Sequence, residues 1–370
     1  MKHRKIVVRT KSKNYPIFFG NNILHFTGKL IRKNLPGVKK ICIICDSRLS
    51  NKLQRKLIKS LKDYDLKIYK LLSNERTKNL NIANRIIEKL LKDNFNRSDC
   101  IVAFGGGVLG DLSAFISNLT KRGLKFINIP TTLLAQVDAS IGGKTGINSS
   151  QGKNLIGTFY QPDFVLSDVS TLKSLSNREM ISGYGEILKH SLIQDRKFFF
   201  WLSKNGREIV KRKNNSLLLK AIIKSCKIKI NIVENDEKEK DLRMILNFGH
   251  TFAHGFESAK NYSKKLNHGE AVLLGMNIAS ELSNKKKLLS KNELFLIKKH
   301  YFDLKLSMKI NKIFRKKDIK KIVNFMKRDK KNVNDKINLI LLKRIGKTTK
   351  PRKISLKENE IKNFLDSYYN

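Results

Sequence analysis

A chain of 370 residues is too long for one ordinary hydrophobic core and implies two domains, while an apolar fraction of 40% excludes a disordered polymer. The net charge of +46 comes from lysines scattered along the chain (Lys52, Lys56, Lys59 and Lys62, for example), with no zinc-finger spacing or aromatic RNA-binding signature; this argues against a specific nucleic-acid reader and for solvated helix faces that attract anionic substrates. No apolar run is long enough to span a bilayer, and no apolar segment follows the basic start Met1-Lys2-His3-Arg4-Lys5, so a cytoplasmic protein is expected.

The N-terminal half alternates strand and helix signals. Residues 41–45 are a short apolar run closed by Asp46 and Ser47, and residues 80–91 have helical spacing. Residues 100–104 are a second apolar run closed by glycines, residues 109–119 read as helix, and residues 126–129 are a third strand stopped by Pro130. The alternation predicts an α/β domain with a Rossmann-like parallel sheet. Cys42 and Cys45 form a C-x-x-C, but residues three apart on a strand face opposite sides; with Cys100 and Cys226 they read as core thiols in a reducing compartment. From about Asn177 the strand signal fades. Amphipathic helices are predicted over residues 187–200, 217–233, 251–258, 271–282 and 318–327, with a strand-like run at 337–342. The reading is an α/β domain over residues 1–175 and a mostly α-helical domain over 176–370, with ligands held in a cleft between them.

Gly105-Gly106-Gly107-Val108-Leu109-Gly110 contains G-x-G-x-x-G between a strand and a helix, the setting in which backbone N–H groups and a helix N-terminus receive a pyrophosphate. The acidic residue usual about 20 positions later is missing. Asp46, at the end of the earlier strand, is the substitute we infer for holding the adenine ribose. Residues 130–162 mix small polar groups with Asp138, Lys144, Lys153 and Asn154, and interleave them with Leu133, Leu134, Val137, Ile141 and Ile147. Lysines in a partly buried, glycine-rich stretch call for anionic partners.

Of seven histidines, His250, His254 and His268 fall in one window. His250 and His254 are at i, i+4, on one helix face, and spacing alone pairs them as metal ligands with His268 or Glu270 added. Thr251 replaces the Glu of H-E-x-x-H, which argues against a metalloprotease. Glu186 lies much earlier, within Gly185-Glu186-Ile187-Leu188-Lys189.

Taken together the blocks resemble the 3-dehydroquinate synthase family of sugar phosphate cyclases. They are Gly105 to Asp111, Lys121-Arg122-Gly123, Pro130 to Asn148, Lys153-Asn154-Leu155-Ile156-Gly157, Gly185 to Lys189, Leu246-Asn247-Phe248-Gly249-His250-Thr251-Phe252 and His268-Gly269-Glu270-Ala271-Val272. The resemblance implies metal ligation, by Zn²⁺ or Co²⁺, at Glu186, His250 and His268, and moves His254 from ligand to substrate neighbour. It implies NAD contacts at Asp46, Glu75, Lys78, Gly107, Val108, Leu109, Gly110, Asp111, Thr131, Thr132, Lys144, Lys153, Thr171, Leu172, Lys173 and Ser174. Substrate and phosphate contacts are implied at Asp138, Lys144, Asn154, Lys189, Lys229, Arg243, Asn247, His254 and Lys330. Arg122 is similar to a residue that reaches the neighbouring subunit's site, which implies a homodimer.

The implied reaction takes 3-deoxy-D-arabino-heptulosonate 7-phosphate to 3-dehydroquinate and phosphate, in the shikimate pathway to aromatic amino acids. NAD⁺ takes a hydride from a ring carbon whose hydroxyl the metal polarises, and the new ketone acidifies the adjacent C–H. Phosphate leaves by β-elimination, the same NADH returns the hydride, the ring opens, and an intramolecular aldol step closes the carbocycle. The alternatives are another NAD- and metal-dependent sugar phosphate cyclase, or a polyol dehydrogenase of similar fold.

Overall fold

The computed structural model describes residues 3–263, 265–306, 309–327 and 336–369. The chain divides into two compact units, Met1–Ser176 with Leu218–Glu237, and Asn177–Leu217 with Lys238–Asn370. The stretch Leu218–Glu237, read from sequence with the helical half, groups with the α/β half.

The first unit is built on strands β1 (Arg4–Arg9), β2 (Asn14–Gly20), β3 (Lys40–Asp46), β4 (Asp65–Leu71), β5 (Cys100–Gly105) and β6 (Lys125–Pro130). A separate antiparallel hairpin, β7 (Lys144–Ser149) and β8 (Gly152–Phe159), precedes β9 (Phe164–Asp168), which rejoins the sheet. The sheet order is β1-β2-β9-β6-β5-β3-β4, parallel throughout except for β1 against β2. Helices α1 (Thr27–Asn34), α2 (Asn51–Ser60), α3 (Leu80–Lys92) and α4 (Gly107–Leu119) connect the strands.

Strand alternation sorts the apolar side chains into two cores. Ile41, Ile43 and Cys45 of β3 join Val102 and Phe104 of β5 in one, with Leu30 and Leu57 from helices. Cys42 and Ile44 join Ile101 and Ala103 in the other, with Ile86, Leu112 and Phe115. Cys42 and Cys45 therefore lie in different cores, as their spacing on a strand requires. All four cysteines are buried, and burial pushes the Cys45 thiol up to about 11 and the others further, so none is a thiolate at neutral pH.

In the second unit, helices α5 (Asn177–Gln194) and α6 (Arg196–Val210) replace the single helix expected over residues 187–200. The Asp195 carboxylate caps α6, accepting from the Phe198 N–H at 2.8 Å, which starts a separate helix there. Helix α5 begins earlier than its apolar spacing suggested, because Gly183 and Gly185 weaken the helical signal. After α7 (Asn215–Asn235), whose greater part belongs to the first unit, come α8 (His250–Ala259), α9 (His268–Lys285), α10 (Lys291–Asp303), α11 (Ile310–Ile313), α12 (Asp318–Lys327) and α13 (Glu358–Asp366). Helix α9 packs on both α5 and α8. The run expected at 337–342 is two short strands, β10 (Ile337–Leu339) and β11 (Leu342–Arg344), each in its own antiparallel pair.

His300 of α10 is buried, with the Tyr184 hydroxyl 3.0 Å from Nε2 and the Ser203 hydroxyl 3.3 Å from Nδ1. Burial lowers its pKa to about 4 from an ordinary 6.5, against a weaker opposing pull from Asp303. The folded value lies below the unfolded one, so this contribution to stability is whole above pH 6.5 and is lost as the pH falls toward 4. The loss approaches about 3 kcal/mol. Urea midpoints followed downward from neutral pH are expected to drop less steeply for His300→Gln than for the wild type; parallel curves would remove His300 as the cause.

Candidate active site

The glycine-rich stretch is the turn from β5 into α4, with Gly106 as the extended N-cap. Leu109 and Gly110 both donate their N–H to Gly106 O, at 3.2 and 3.0 Å, and the Leu109 side chain lies in the core. Those two residues build the turn. Gly107 and Val108, the first helical residues, have N–H groups with no intrahelical acceptor, and so form the anion-seeking end. Thr131 N donates to Gly105 O at 2.9 Å, and Thr132 Oγ1 accepts from Ala135 N at 3.2 Å, which sets both threonines beside the turn.

The chain leaves β3 for the edge strand β4 and returns to β5 on the other side of β3. Open α/β sheets bind ligands at such reversals, at the carboxyl ends of the strands. Asp46 ends β3 at that place, and a Cβ built on Gly105 would lie 3.4 Å from its own Cβ. Its buried carboxylate is forked by Arg48, Nε to Oδ1 at 3.1 Å and Nη2 to Oδ2 at 2.8 Å.

Lys78, 3% exposed, donates to Asp111 Oδ2 at 2.5 Å and Asn154 Oδ1 at 2.6 Å, so one buried ammonium ties α4 to the β7–β8 hairpin. Burial raises the Asp111 carboxyl above its ordinary range, and Lys78 offsets part of that. Glu75 faces Lys153 at 3.3 Å and accepts from Asn148 Nδ2 at 2.8 Å. Burial works to raise its pKa, but Lys153, Asn148 and Lys78 outweigh it and hold the carboxyl below the usual value. Lys144 is exposed, as are Lys173 and Ser174, while Thr171 and Leu172 are buried.

Lys229, 5% exposed, donates to Asp138 Oδ1 and to Asp138 O, both at 2.6 Å. Asp138 lies in a π-helical turn, Ala135–Ala139, a rare conformation concentrated at functional sites. Gln136 fixes the turn by donating to Pro130 O, Asp168 O and Thr171 Oγ1 at 3.1, 3.0 and 3.3 Å.

The second unit assembles a different cluster. Glu186 is fully buried in α5, and neither carboxylate oxygen accepts a directed hydrogen bond. The buried Lys189 ammonium, one turn on, forms an ion pair with it. His250 Nε2 lies 3.6 Å from Glu186 Oε1, and donor atoms of Glu186, His250 and His268 all lie within 4.8 Å of one another. The outer nitrogens face acceptors: His250 Nδ1 is 3.4 Å from Phe248 O, and His268 Nδ1 is 3.1 Å from Glu257 Oε2. In this orientation Nε2 is the nitrogen that each ring would turn to a central ion. One buried, unsolvated carboxylate and two imidazoles fit a divalent cation of the Zn²⁺ or Co²⁺ type, with positions left for substrate oxygens.

The His250–His254 pairing drawn from spacing is not what the fold gathers. The His254 ring meets His250 edge-on, centroids 5.7 Å apart, outside the donor cluster. Glu270 is taken up by the Arg178 guanidinium, at 2.5 Å from each carboxylate oxygen, and by Asn267 N at 2.8 Å.

Each donor of the cluster adjoins a glycine, and at Gly249 and Gly269 two helices meet at backbone distance. Gly249, before His250, has φ +78, and a Cβ on Gly275 of α9 would lie 2.2 Å from Gly249 O. A Cβ on Gly269, after His268, would lie 2.3 Å from Ser182 Cα of α5. Gly185 precedes Glu186 and faces Leu273.

Of the remaining predicted residues, Arg243 is buried and Asn247 half-buried in the turn Leu242–Asn247, with Asn247 Nδ2 donating to Glu239 Oε1 at 2.9 Å. Arg122 is exposed and, like Lys121, has a left-handed backbone, with φ values of 61 and 51. Lys330 lies outside the described residues. Asp138, Lys144, Asn154 and Lys229 belong to the first unit, and Lys189, Arg243, Asn247 and His254 to the second. Sequence reasoning missed Arg48, Asn148, Arg178 and Glu257. Only Glu257 carried a signal, because it stands seven residues after His250 and extends the face that His250 and His254 begin.

Two family profiles cover most of the chain. Residues 68–182 match the profile described as 3-dehydroquinate synthase N-terminal, and residues 183–332 the one described as 3-dehydroquinate synthase C-terminal. A relative named 3-dehydroquinate synthase, from Pelagibacter ubique (strain HTCC1062), is 49% identical over 361 residues, 98% of this chain and 97% of the relative. Among solved structures, 2-deoxy-scyllo-inosose synthase complexed with carbaglucose-6-phosphate, NAD⁺ and Co²⁺ superposes with a TM-score of 0.88 at 23% identity, covering 98% of this chain and all (100%) of that one. The 2-epi-5-epi-valiolone synthase from Streptomyces hygroscopicus subsp. jinggangensis 5008, with NAD⁺ and Zn²⁺ bound, gives 0.85 at 24% identity over 98% of this chain and 99% of that one.

Proposed function

The chain belongs to the 3-dehydroquinate synthase family, and on that footing we propose that it converts 3-deoxy-D-arabino-heptulosonate 7-phosphate to 3-dehydroquinate and phosphate, as an NAD- and divalent-metal-dependent lyase of the shikimate pathway. The observation that carries this reading is the cluster of Glu186, His250 and His268, in which a buried carboxylate without hydrogen bonds faces two oriented imidazoles. These three residues would hold a Zn²⁺ or Co²⁺ ion. Asp46, Glu75, Lys78, Gly107, Val108, Asp111, Thr131, Thr132, Lys144, Lys153, Thr171, Leu172 and Ser174 would hold the dinucleotide. When bound, the ion supplies Lewis acidity toward a substrate hydroxyl, and the nicotinamide supplies a hydride acceptor that is restored within each cycle.

The remaining work is positional and electrostatic. Gly107 and Val108 offer N–H groups to the pyrophosphate. Lys189 and Lys229 are buried ammonium groups that face carboxylates, and each would take a substrate phosphate or carboxylate as a further anionic partner. Arg243, buried and planar, suits a substrate carboxylate, a group that neutral sugar phosphates lack. His254 takes part in proton transfer beside the metal ligands. The enzyme acts as a homodimer in which Arg122, on its left-handed turn, serves the neighbouring site. No helix among the described residues is long and apolar enough to cross a membrane, and we place the enzyme in the cytoplasm.

Purified protein given the heptulosonate phosphate, NAD⁺ and Zn²⁺ is expected to release phosphate without net accumulation of NADH, and to leave neutral sugar phosphates untouched. No phosphate release from folded, metal-loaded protein would sink the proposal. Steady NADH accumulation would favour a dehydrogenase instead.

A further inference from the structure

We propose that Glu257 is a positioning residue of the metal centre: its carboxylate holds the His268 ring with Nδ1–H toward itself and so aims the Nε2 lone pair at Glu186 and His250. The inference rests on the metal-binding reading above and adds a residue outside the ligand set. Glu257 is 6% exposed, and its Oε2 lies 3.1 Å from His268 Nδ1. Its helix, α8, also supplies His250, so one helix face provides one donor and the anchor of the next.

The backbone of His268 is already fixed. The Asn267–Glu270 capping box closes the start of α9, and Arg178 clamps Glu270 from the outside. The Glu257 carboxylate acts on the ring itself, where it restricts rotation and favours the Nδ1–H tautomer. His250 is oriented by a neutral acceptor, Phe248 O, at the longer distance of 3.4 Å. An anionic partner makes the ring a stronger donor than a neutral one does, so His268 is the firmer of the two nitrogen ligands.

The test uses full-length protein stripped by a chelator and titrated with Co²⁺ against a chromophoric competitor, with no substrate present. Glu257→Ala is expected to weaken Co²⁺ binding by about 10–100-fold and to shift the visible absorption bands of the bound ion. Glu257→Gln, which keeps an acceptor oxygen without the charge, is expected to lose less. Near-UV circular dichroism checks the fold of each variant; if the Ala variant does not fold, the Gln variant decides. Wild-type affinity and bands in both folded variants would overturn the proposal. Glu186→Gln separates the two levels. Loss of Co²⁺ binding there, with none in the Glu257 variants, removes the positioning role and keeps the centre. Wild-type binding in all three removes the centre itself.

Discussion

Glu186→Gln is expected to lose metal affinity and activity together. The carboxylate is the one anionic donor of the cluster, and an amide cannot replace its charge. The affinity should fall by more than the roughly 10–100-fold that an outer hydrogen-bond partner is worth. Without the ion, several kcal/mol of charge stabilisation is missing from the oxidation step, about 10³-fold in rate. The substitution has a second effect, because Lys189 is 1% exposed and Glu186 is its ion-pair partner. A buried ammonium left alone costs about 3–5 kcal/mol, so the metal-free variant should also melt lower. Pairing Glu186→Gln with Lys189→Met removes that burden. The double variant is expected to regain thermal stability and still fail to bind Co²⁺. A single variant that keeps both its metal and its turnover would refute the ligand assignment.

The second large effect separates two readings of one helix. His254 stands a turn beyond His250, and spacing alone makes them a ligand pair. The fold instead brings His250 to Glu186 and His268 and leaves His254 in an edge contact. His254→Ala is therefore expected to retain its metal and to lose about 10²–10⁴-fold in kcat, the range for a positioned proton-transfer group, with little change in KM. Metal content measured by elemental analysis decides the point. If the variant emerges metal-free, the spacing argument was sound and His254 is a ligand.

These two histidines also mark how far the sequence could be read. Contiguous signals were legible. The glycine turn is local, the role proposed for it depends on backbone N–H groups, and the strand before it and helix after it have clear apolar patterns. Asp46 could be singled out as a candidate because β3 ends in an acidic residue, and the fold sets that end beside Gly105. Discontinuous features were not legible from spacing, and the ligand set was reached only through the family resemblance. The donor cluster draws on three helices, and a helical wheel sees only one of them. Glu257 followed the same face as His250 but was passed over, because an acidic residue on an amphipathic helix ordinarily faces water. The β7–β8 hairpin was hidden because Gly146, Gly152 and Gly157 interrupt its alternation. The Lys78–Asp111–Asn154 contact joins residues that no local pattern connects.

The glycines beside the donors carry a consequence for inheritance. Where α8 and α9 touch, at Gly249 and Gly275, and where α9 meets α5, at Gly269 and Ser182, main chain rests on main chain or on a small residue. The gap between the donors is thus gauged by the thickness of the backbone itself. Apolar side chains elsewhere on these helices can drift from generation to generation and repack without widening the gap. A single added methyl at Gly275 or Gly269 has nowhere to go, and it pushes two of the donor residues apart at once. A centre built this way is tolerant over most of its surroundings and abruptly intolerant at a few points.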